Sequence, residues 1–432
     1  MTRICFNDIK FREDADNAEC IVMVFLKLFE ADISRESLKR LGDFTVSDGC
    51  LEISDLPEDD ARKKLIPIID RAFGNLKNKL TGCKTVYIHQ NSGIPLIGSI
   101  NFGIVDRGTN IIEVKPITGC NIDCVFCSVD EGKSTRKLVD FVVEDEYLAD
   151  EVRKLVEYKQ MNHEQTDHDQ IARDDGSEGS DGQDIPDGPE FKIDVFINTH
   201  GEPLLYSNIV SLVNALRHIE QVGVISIITN GTMLSKNLAD ELIDAGLTQL
   251  NLSVNAIDPD KARELAGTAA YDVKHVLEIA RYVSKKIKLF ISPVWVNGLN
   301  DAEIPKLVNF ARDIGAEIGI QNFLAHKSGR KPKKQVIWDD FYKKLDEWEK
   351  ETGVPLRTKE HSLFETKTLE KPFRKGDAVH GIIVAPGRMK DEMLAEAKGR
   401  VISVVACHKK KGQIKMRMIR DKDNIFVAEV AK

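Results

Sequence analysis

Short apolar segments alternate with amphipathic segments between residues 111 and 325. The apolar segments are rich in Val, Ile, Leu and Phe, and the intervals between them carry apolar residues at helical spacing. This alternation predicts a parallel sheet with right-handed crossovers and outer helices, which is an α/β fold in the form of an open or partial barrel. The predicted strands are 111–114, 194–198, 225–228, 249–254, 287–296 and 318–323, and the predicted helices are 144–158, 207–219, 238–245, 262–266, 273–284 and 302–314.

The two ends of the chain follow other patterns. The predicted units are an N-terminal α+β region at 1–105, the alternating region at 106–345 and a small all-β barrel at 371–432. The predicted elements of the flanking units are helices at 34–41 and 59–76 and strands at 85–89, 378–384, 399–405, 414–419 and 424–430. The N-terminal region carries no evident chemical motif.

One segment interrupts the alternating region. Residues 162–190 contain few apolar residues and many Asp, Gly and Ser. Such a composition cannot bury enough apolar surface to order itself. It predicts a disordered acidic insertion between the first helix and the second strand of the alternating region.

Charge is distributed unevenly along the chain. The net charge is −8, but residues 371–432 contain 15 Lys or Arg and 7 Asp or Glu, hence +8, so the remainder carries −16. An acidic body with a basic end predicts an anionic partner. No apolar run reaches the roughly 18 residues of a membrane span. Acidic residues precede the apolar stretch 20–29, where a signal peptide would be positive. We therefore expect a cytoplasmic protein with no membrane association.

Three of the eight cysteines fall within eight positions, and they directly follow a predicted strand. Cys120, Cys124 and Cys127 have the spacing Cys-x3-Cys-x2-Cys. The overall cysteine density is too low for a disulfide scaffold, so a tight group in a reducing compartment indicates a metal site. Cys thiolates at such short spacings hold iron–sulfur clusters. Three ligands would leave one iron open to a small molecule. The alternative is a structural zinc site with a remote fourth ligand, although a second Cys-x2-Cys pair is missing.

The cysteine spacing, with Phe126 in the aromatic position before the last cysteine, resembles the signature of the radical S-adenosylmethionine (SAM) superfamily. The resemblance extends over residues 111–325 and implies a partial (β/α)6 parallel barrel. It implies a [4Fe–4S] cluster on the three cysteines and SAM on the open iron. Reductive cleavage of SAM then yields a 5′-deoxyadenosyl radical, with ferredoxin or flavodoxin as the electron donor.

Three further stretches resemble parts of this superfamily. The stretch 199–203 is similar to its Gly-Gly-Glu-Pro motif, which receives the methionine amino group, although His200 replaces the first glycine. Polar residues on later strands correspond to positions near the ribose, carboxylate and adenine. From the residues alone, strand-end turns and solvated strand ends remain open. The residues that the resemblance assigns to SAM are Phe126, Gly201, Glu202, Pro203, Asn230, Ser253, Asn255 and Gln321.

The basic C-terminal end resembles a TRAM domain, a small β-barrel that binds RNA in tRNA-modifying enzymes. A second basic run, 326–334, follows the last strand of the alternating region. Lys and Arg on such surfaces match phosphates, although a charge run is also typical of an ordinary solvated surface. The combination resembles an archaeal group of radical SAM iron–sulfur oxidoreductases with a TRAM-like end. The expected RNA-binding residues are Lys331, Lys333, Lys409, Lys410, Lys411, Lys415, Arg417 and Arg420.

Three hypotheses follow. The first is a radical SAM enzyme that modifies RNA, with tRNA as the expected substrate. A methylthiotransferase variant of it needs a second cluster on Cys5, Cys50 and Cys83, whose surroundings instead favour buried thiols. The second hypothesis replaces RNA with a peptide or small metabolite. The third is a non-enzymatic nucleic-acid-binding protein with a structural cluster. On the first hypothesis, removal of residues 371–432 is expected to weaken RNA binding and to leave SAM cleavage intact.

Overall fold

The computed structural model describes residues 1–174, 191–357 and 363–431. Its N-terminal part is a mixed α/β region, as predicted. The strands are β1 (Thr2–Ile4), β2 (Ile9–Glu13), β3 (Cys20–Phe25), β4 (Phe29–Ser34), β5 (Phe44–Ser47), β6 (Cys50–Ile53), β7 (Lys77–Asn78) and β8 (Lys84–Ile88). The helices are α1 (Arg35–Lys39) and α2 (Glu58–Phe73).

Two of the N-terminal cysteines form a disulfide, which corrects the prediction of separate buried thiols. Strands β1 and β6 are antiparallel with Ile4 opposite Leu51. The next pair along the ladder is Cys5 and Cys50, whose Cα atoms are 4.7 Å apart. Strand pairing between segments distant in sequence brings the two thiols together. Cys83 is a buried free thiol, as predicted.

The central part follows the predicted alternation of strands and helices. The strands are β9 (Gly103–Asp106), β10 (Ile111–Lys115), β11 (Thr118–Gly119), β12 (Val139–Val143), β13 (Ile193–Ile197), β14 (His200–Gly201), β15 (Val222–Thr229), β16 (Gln249–Leu252), β17 (Lys288–Ile291), β18 (Val294–Trp295), β19 (Glu317–Ile318) and β20 (Gln321–Asn322). The helices are α3 (Asp145–Asp174), α4 (Ile209–Arg217), α5 (Lys236–Asp244), α6 (Pro259–Ala266), α7 (Val273–Val283), α8 (Ile304–Ile314) and α9 (Trp338–Thr352).

Seven of these strands form one sheet in the order β19-β17-β16-β15-β13-β10-β9. The six strands from β10 to β19 are parallel, and β9 is antiparallel at the edge. This is the predicted partial (β/α)6 barrel. On β13, Ile193, Val195 and Ile197 are fully buried, in the same core as Leu212 and Leu216 of α4. Their alternation along β13 turns one face of the strand toward this core and leaves the other for polar residues.

The last two predicted strands, 287–296 and 318–323, are each divided in two. The first is interrupted at Pro293, which has no N–H for a sheet ladder. The second is interrupted around Gly319. The short continuations β18 and β20 pair with each other in a separate parallel ladder. A second, two-stranded ladder therefore follows the main sheet at the carboxyl ends of β17 and β19.

Helix α3 continues to Asp174, so the first part of the predicted insertion at 162–190 is helical rather than disordered. A helix that has already formed on buried residues extends through polar residues at little cost, because each added residue gains a hydrogen bond. Residues 175–190 of the predicted insertion lie outside the described residues. Among the described residues, no helix is long and apolar enough to cross a membrane.

The C-terminal strands form a closed five-stranded barrel. Four of its strands match the prediction. The fifth, with the sequence Met-Leu-Ala-Glu-Ala, has no β-branched or aromatic residue and gave no strand signal. The strands are β21 (Ala378–Pro386), β22 (Met393–Ala397), β23 (Arg400–Val405), β24 (Gly412–Arg420) and β25 (Val427–Val430). Their order around the barrel is β21-β22-β23-β25-β24.

This C-terminal barrel packs closely against the rest of the molecule. The backbone N–H of Val401 donates to the carbonyl of Ile97, and that of Phe426 donates to the carbonyl of Gly98. Gly98 has φ +130°, and a Cβ there would lie 2.0 Å from the carbonyl oxygen of Val401. Only glycine permits this approach. The barrel is therefore docked through its backbone and not merely tethered.

The N-terminal sheet also takes a strand from the central part. Its order is β12-β8-β7-β4-β3-β2, and β12 lies parallel to β8. Strand β12 follows the segment that contains the three grouped cysteines. That segment is consequently anchored in one sheet at its start, through β10, and in another at its end.

Candidate active site

One cavity of about 290 Å³ opens at the carboxyl ends of the parallel strands, a volume at the lower limit for small-molecule sites. Cys120, Cys124 and Cys127 all line it. Phe126 lines it as well and is 7% exposed. The cysteine loop thus faces the edge at which α/β barrels build their sites.

The C-terminal end of α6 holds the cysteine loop through backbone hydrogen bonds. The backbone N–H groups of Asp123 and Val125 donate to the carbonyls of Ala266 and Leu265 at 2.9 and 3.0 Å. Gly267 ends the helix with φ +65°, and a Cβ there would lie 2.1 Å from the Asp123 carbonyl oxygen. A glycine at this helix end therefore lets the loop contact the last carbonyls of the helix directly.

Glu202 lines the cavity and is 1% exposed. Its Oε1 accepts hydrogen bonds from Thr229 Oγ1 at 2.6 Å and from the N–H of Leu204 at 3.0 Å, and its Oε2 accepts one from the N–H of Asn230 at 2.9 Å. Burial raises the pKa of Glu202 above its usual value, and these three donors oppose that shift. The carboxylate is held rigidly and keeps acceptor capacity on the cavity side.

The neighbours of Glu202 differ in role. Gly201 has φ +142°, and a Cβ would lie 1.9 Å from the carbonyl oxygen of Gly119, so glycine is required. Pro203 is buried and begins a one-turn helix instead of lining the cavity. The ring of His200 lies 3.2 Å from Asn101 Oδ1, and burial lowers the pKa of His200 well below its usual value. The backbone of His200 pairs with β11, so the replacement of glycine by histidine leaves this ladder intact.

The remaining polar residues also converge. Asn230 Nδ2 donates to Asn121 Oδ1 at 3.0 Å and lies 3.9 Å from the Cys120 sulfur. Asn255 Oδ1 accepts from the N–H of Val294 at 2.8 Å, which fixes the start of β18. The polar residues predicted on later strands that line the cavity are Asn230, Ser253, Asn255 and Gln321.

The thiols of the loop lie in an environment that disfavours bare thiolates. Burial raises the pKa of Cys120 well above its usual value, and the Glu202 charge adds to this effect. Burial and the neighbouring Cys127 raise the pKa of Cys124 to about 12. A partly buried group of thiols in such surroundings is stable as thiolates only when a cation compensates their charge.

The family model of the radical SAM superfamily matches residues 187–311, a stretch that begins after the three cysteines. The uncharacterized protein MJ0103 of Methanocaldococcus jannaschii is 36% identical over 390 residues, which cover 82% of this chain and 83% of that protein.

The chain belongs to the radical SAM superfamily. It is therefore an enzyme, and the third hypothesis, a non-enzymatic protein, is wrong. The superfamily uses a [4Fe–4S] cluster and SAM.

More distant relatives and solved structures match part of the chain. The GTP 3′,8-cyclase of Thermodesulfovibrio yellowstonii is 25% identical over 225 residues, 51% of this chain and 58% of that enzyme. Among solved structures, TYW1 with a lysine-pyruvate adduct bound has a TM-score of 0.37 at 21% identity, covering 56% of this chain and 73% of that chain. Streptococcus suis SuiB has a TM-score of 0.39 at 14% identity, covering 81% and 70%.

The residues of the cavity fit the two radical SAM cofactors. Besides the three thiols, two lining groups are buried without a hydrogen-bond partner among the described residues: Thr199 Oγ1 and Asn322 Oδ1. Buried polar atoms are normally paired, so two unpaired atoms in residues that line the cavity are consistent with a polar ligand there. No three His, Cys, Asp or Glu in the described ranges lie close enough to hold a single metal ion. A cubane differs from a single ion, because each cysteine binds its own iron.

Arg330 was not predicted as part of this site, because it lies within the basic run 326–334. Its Nη1 donates to the carbonyl of Cys124 at 2.9 Å, and its backbone N–H donates to the carbonyl of Cys127 at 2.9 Å. The guanidinium also pairs with Asp123 at 3.1 Å and with Asp130 at 3.0 Å. Arg330 therefore clamps the cysteine loop. Nothing in a Lys-rich run distinguishes one partly buried arginine from its exposed neighbours.

Tyr271 is a second residue that the sequence did not reveal. It lines the cavity, is 5% exposed and has a pKa raised by burial, so its hydroxyl stays protonated. No motif accompanies it, since it lies in the loop between α6 and α7.

The residues expected to bind RNA lie on exposed surface. On β24, Ile414, Met416 and Met418 are buried in the barrel core, and Lys415 and Arg417 alternate with them on the outside. Strand β24 therefore has one buried face and one basic face. The expected residues that are exposed are Lys331, Lys333, Lys409, Lys410, Lys411, Lys415, Arg417 and Arg420.

A second cluster on the N-terminal cysteines is not consistent with the structure. Cys5 and Cys50 are joined to each other, and Cys83 lies elsewhere with its sulfur 3.3 Å from the carbonyl of Lys137. The methylthiotransferase variant, which needs these three thiols together, is therefore wrong.

Proposed function

We propose that this radical SAM enzyme modifies RNA, with tRNA as the expected substrate. We assign Cys120, Cys124 and Cys127 as the cluster ligands and a small ferredoxin or flavodoxin as electron donor. The observation that supports the assignment is the convergence of the three thiols, Glu202 and several polar strand ends on one cavity.

The domain boundaries at residues 105, 345 and 371 remain predictions from the sequence. The cytoplasmic location of the protein also remains a prediction.

The cofactors supply reductive cleavage of SAM to a 5′-deoxyadenosyl radical, which abstracts a hydrogen atom from the substrate. The residues of the chain bind and orient. Glu202 is already held by three donors and offers its free acceptor capacity to an ammonium group. Thr199 Oγ1 and Asn322 Oδ1 provide unpaired polar atoms for the remainder of SAM. The apolar lining, including Phe126 and Leu265, excludes water from a reactive radical.

The RNA part of the proposal is supported by exposed cations beside exposed aromatic rings. Trp338 and Tyr342, at the start of α9, directly follow the basic run that contains Lys331 and Lys333. Trp338 is 49% exposed and Tyr342 43%, and their ring centroids are 6.0 Å apart at an interplanar angle of 30°. Phosphate-matching charge next to stacking platforms is typical of surfaces that bind single-stranded nucleic acid.

A second candidate is a small nucleotide as substrate. The similarity to a GTP 3′,8-cyclase over 225 residues favours it, because that enzyme's name states a GTP reaction. On this alternative the basic surfaces play no part in catalysis.

Two measurements distinguish the candidates. The first is binding of bulk tRNA to the full chain at low and moderate salt. We expect binding that weakens with salt, and a variant with Lys409, Lys410 and Lys411 changed to Ala should bind more weakly with a shallower salt dependence. A chain that fails to bind tRNA even at low salt would contradict an RNA substrate. The second is mass spectrometry of RNA nucleosides from cells with and without the gene, in which one modified nucleoside should disappear.

A further inference from the structure

One arginine of the C-terminal barrel is buried inside the central part of the molecule. Arg388 lies between β21 and β22 and is 2% exposed. Its Nη2 donates to Glu131 Oε2 and to Asp140 Oδ1, each at 3.0 Å, and its Nη1 lies 3.0 Å from Glu131 Oε1. Its carbonyl accepts the N–H of Leu138 at 2.8 Å. The side chain thus bridges two carboxylates of another unit.

The charges around Arg388 balance. Lys137 pairs with Glu131 and donates to the carbonyl of Val129 at 2.6 Å. Two cations, Arg388 and Lys137, therefore face two anions, Glu131 and Asp140, and all four side chains are 9% exposed or less. Removing one partner from such a buried group leaves an uncompensated charge, which is strongly unfavourable.

Glu131 and Asp140, the two carboxylates that Arg388 contacts, are both connected to the cysteine loop by hydrogen bonds. The backbone N–H of Glu131 points at the Cys127 sulfur, with a separation of 3.4 Å, and Glu131 itself lines the cavity. Asp140 Oδ1 accepts from Thr118 Oγ1 at 3.0 Å, two residues before Cys120. Arg388 is therefore linked through Glu131 to the end of the cysteine loop at Cys127. Through Asp140 it is linked to Thr118, just before the start of the loop.

We propose that Arg388 is a positioning residue of the cluster site, so that the C-terminal barrel completes this site besides offering a surface. By fixing Glu131, Arg388 keeps an N–H donor directed at the Cys127 thiolate. Donors to the cluster sulfurs and nearby positive charge stabilise the reduced, more negative cluster. The proposal rests on the proposed function, because it requires Cys127 to be a cluster ligand.

This role of Arg388 changes the effect expected when the C-terminal barrel is removed. Removal of residues 371–432 was expected to leave SAM cleavage intact. Without Arg388, however, Glu131 and Asp140 would have Lys137 as the single cation of the group. We now expect the shortened chain to lose cluster as well.

The test is a redox titration of the cluster in the full chain, followed by electron paramagnetic resonance, with iron content measured in parallel. In Arg388→Met we expect a more negative midpoint potential than in the wild type, an altered spectrum and a loss of iron. Arg388→Lys keeps the positive charge and should restore part of the potential. Met416→Ala is the matched control, because Met416 is fully buried in the barrel's own core, whereas Cys120 and Cys124 pack against the separate main core. It should lower the melting temperature and leave the potential unchanged.

The outcomes separate the two proposals. A wild-type chain that binds no cluster would overturn the proposed function itself. A wild-type cluster whose potential and spectrum are unchanged in Arg388→Met would overturn the role of Arg388 alone, as would an equal shift in Met416→Ala. If Arg388→Met does not fold, Arg388→Lys decides: a shifted potential supports the proposal, and an unshifted one contradicts it.

Discussion

The cavity of the partial barrel and the outer face of the C-terminal barrel are built in opposite ways. The cavity collects residues that are far apart in sequence, and its charged groups are buried and held by several partners, as Glu202 is. The outer face presents a contiguous run, from Lys409 to Arg420, in which the cations are exposed. The first arrangement fixes geometry, and the second supplies charge without fixed geometry.

This difference shows where a substitution should matter. In the cavity, one atom in the wrong place disturbs several partners, because groups such as Glu202 and Asn230 each have defined contacts. On the outer face, the charges act additively through phosphates, and each one contributes modestly. Arg388 belongs to the barrel in sequence but behaves like a cavity residue.

The largest effect is expected for Gly201→Ala. The added Cβ would lie 1.9 Å from the Gly119 carbonyl oxygen at φ +142°, so the strand pair beside the cysteines must separate. We expect loss of SAM cleavage and of iron, measured after anaerobic reconstitution. Gly399→Ala is the control on the other barrel: its φ is +68° and nothing lies within 4 Å of the added Cβ. It should cost about 1 kcal/mol of unfolding free energy, for strain alone. If both substitutions had equal effects on SAM cleavage and iron content, the proposed steric clash between residue 201 and the Gly119 carbonyl would be contradicted.

A smaller effect is expected for Arg330→Met. The guanidinium pairs with Asp123 and Asp130 and caps the carbonyl of Cys124, so its loss should lower the unfolding free energy by about 3 kcal/mol. Iron retention should fall in parallel. The adjacent, exposed Lys331→Ala should change the unfolding free energy by less than about 0.5 kcal/mol. Chemical denaturation under anaerobic conditions measures both.

Glu113 should give a pH-dependent effect. Burial would raise the pKa of Glu113, but the ion pairs with Lys115 and Arg107 outweigh it and lower the pKa. A lowered carboxyl pKa stabilises the fold above the unfolded pKa, and this contribution is lost as pH falls through the folded pKa. Glu113→Gln should therefore cost about 2 kcal/mol at pH 7 and much less at strongly acidic pH. A cost that stays constant with pH would contradict the assignment.

The smallest effect on the fold is expected for Arg417→Ala. Arg417 is exposed on β24, so the melting temperature should hardly change. Its loss should weaken tRNA binding severalfold and reduce the slope of affinity against salt by about one. Unaltered affinity and slope would remove this residue from the RNA surface.

Sequence periodicity predicted the six parallel strands because each is a run of apolar residues flanked by turns. The two-residue strands β11 and β14 were beyond such reasoning, since a period needs several repeats. The pairing of β12 with the N-terminal sheet and the Cys5–Cys50 disulfide both depend on which distant segments meet. Periodicity does not specify that.

The sequence predicted those parts of the candidate site in which functional residues stand in a short motif with a fixed spacing. These are the cysteine motif and the stretch around Glu202. It was not predictable where a residue acts through burial. Arg330 and Arg388 stand in basic regions, and composition alone makes them equivalent to the exposed Lys331 and Arg417. Only the fold separates a guanidinium that binds the cysteine loop from one that faces solvent.

The decisive measurement is electron paramagnetic resonance of the anaerobically reconstituted, reduced full chain before and after addition of SAM, with iron and 5′-deoxyadenosine quantified. We predict about four irons per chain, a spectrum that changes when SAM is added, and deoxyadenosine formation. Cys124→Ala should lack all three, and Cys83→Ala, which alters a buried thiol apart from the loop, should keep them. A wild-type chain without iron would contradict a three-cysteine cluster with an open iron. A cluster whose electron paramagnetic resonance spectrum does not change when SAM is added would contradict it as well.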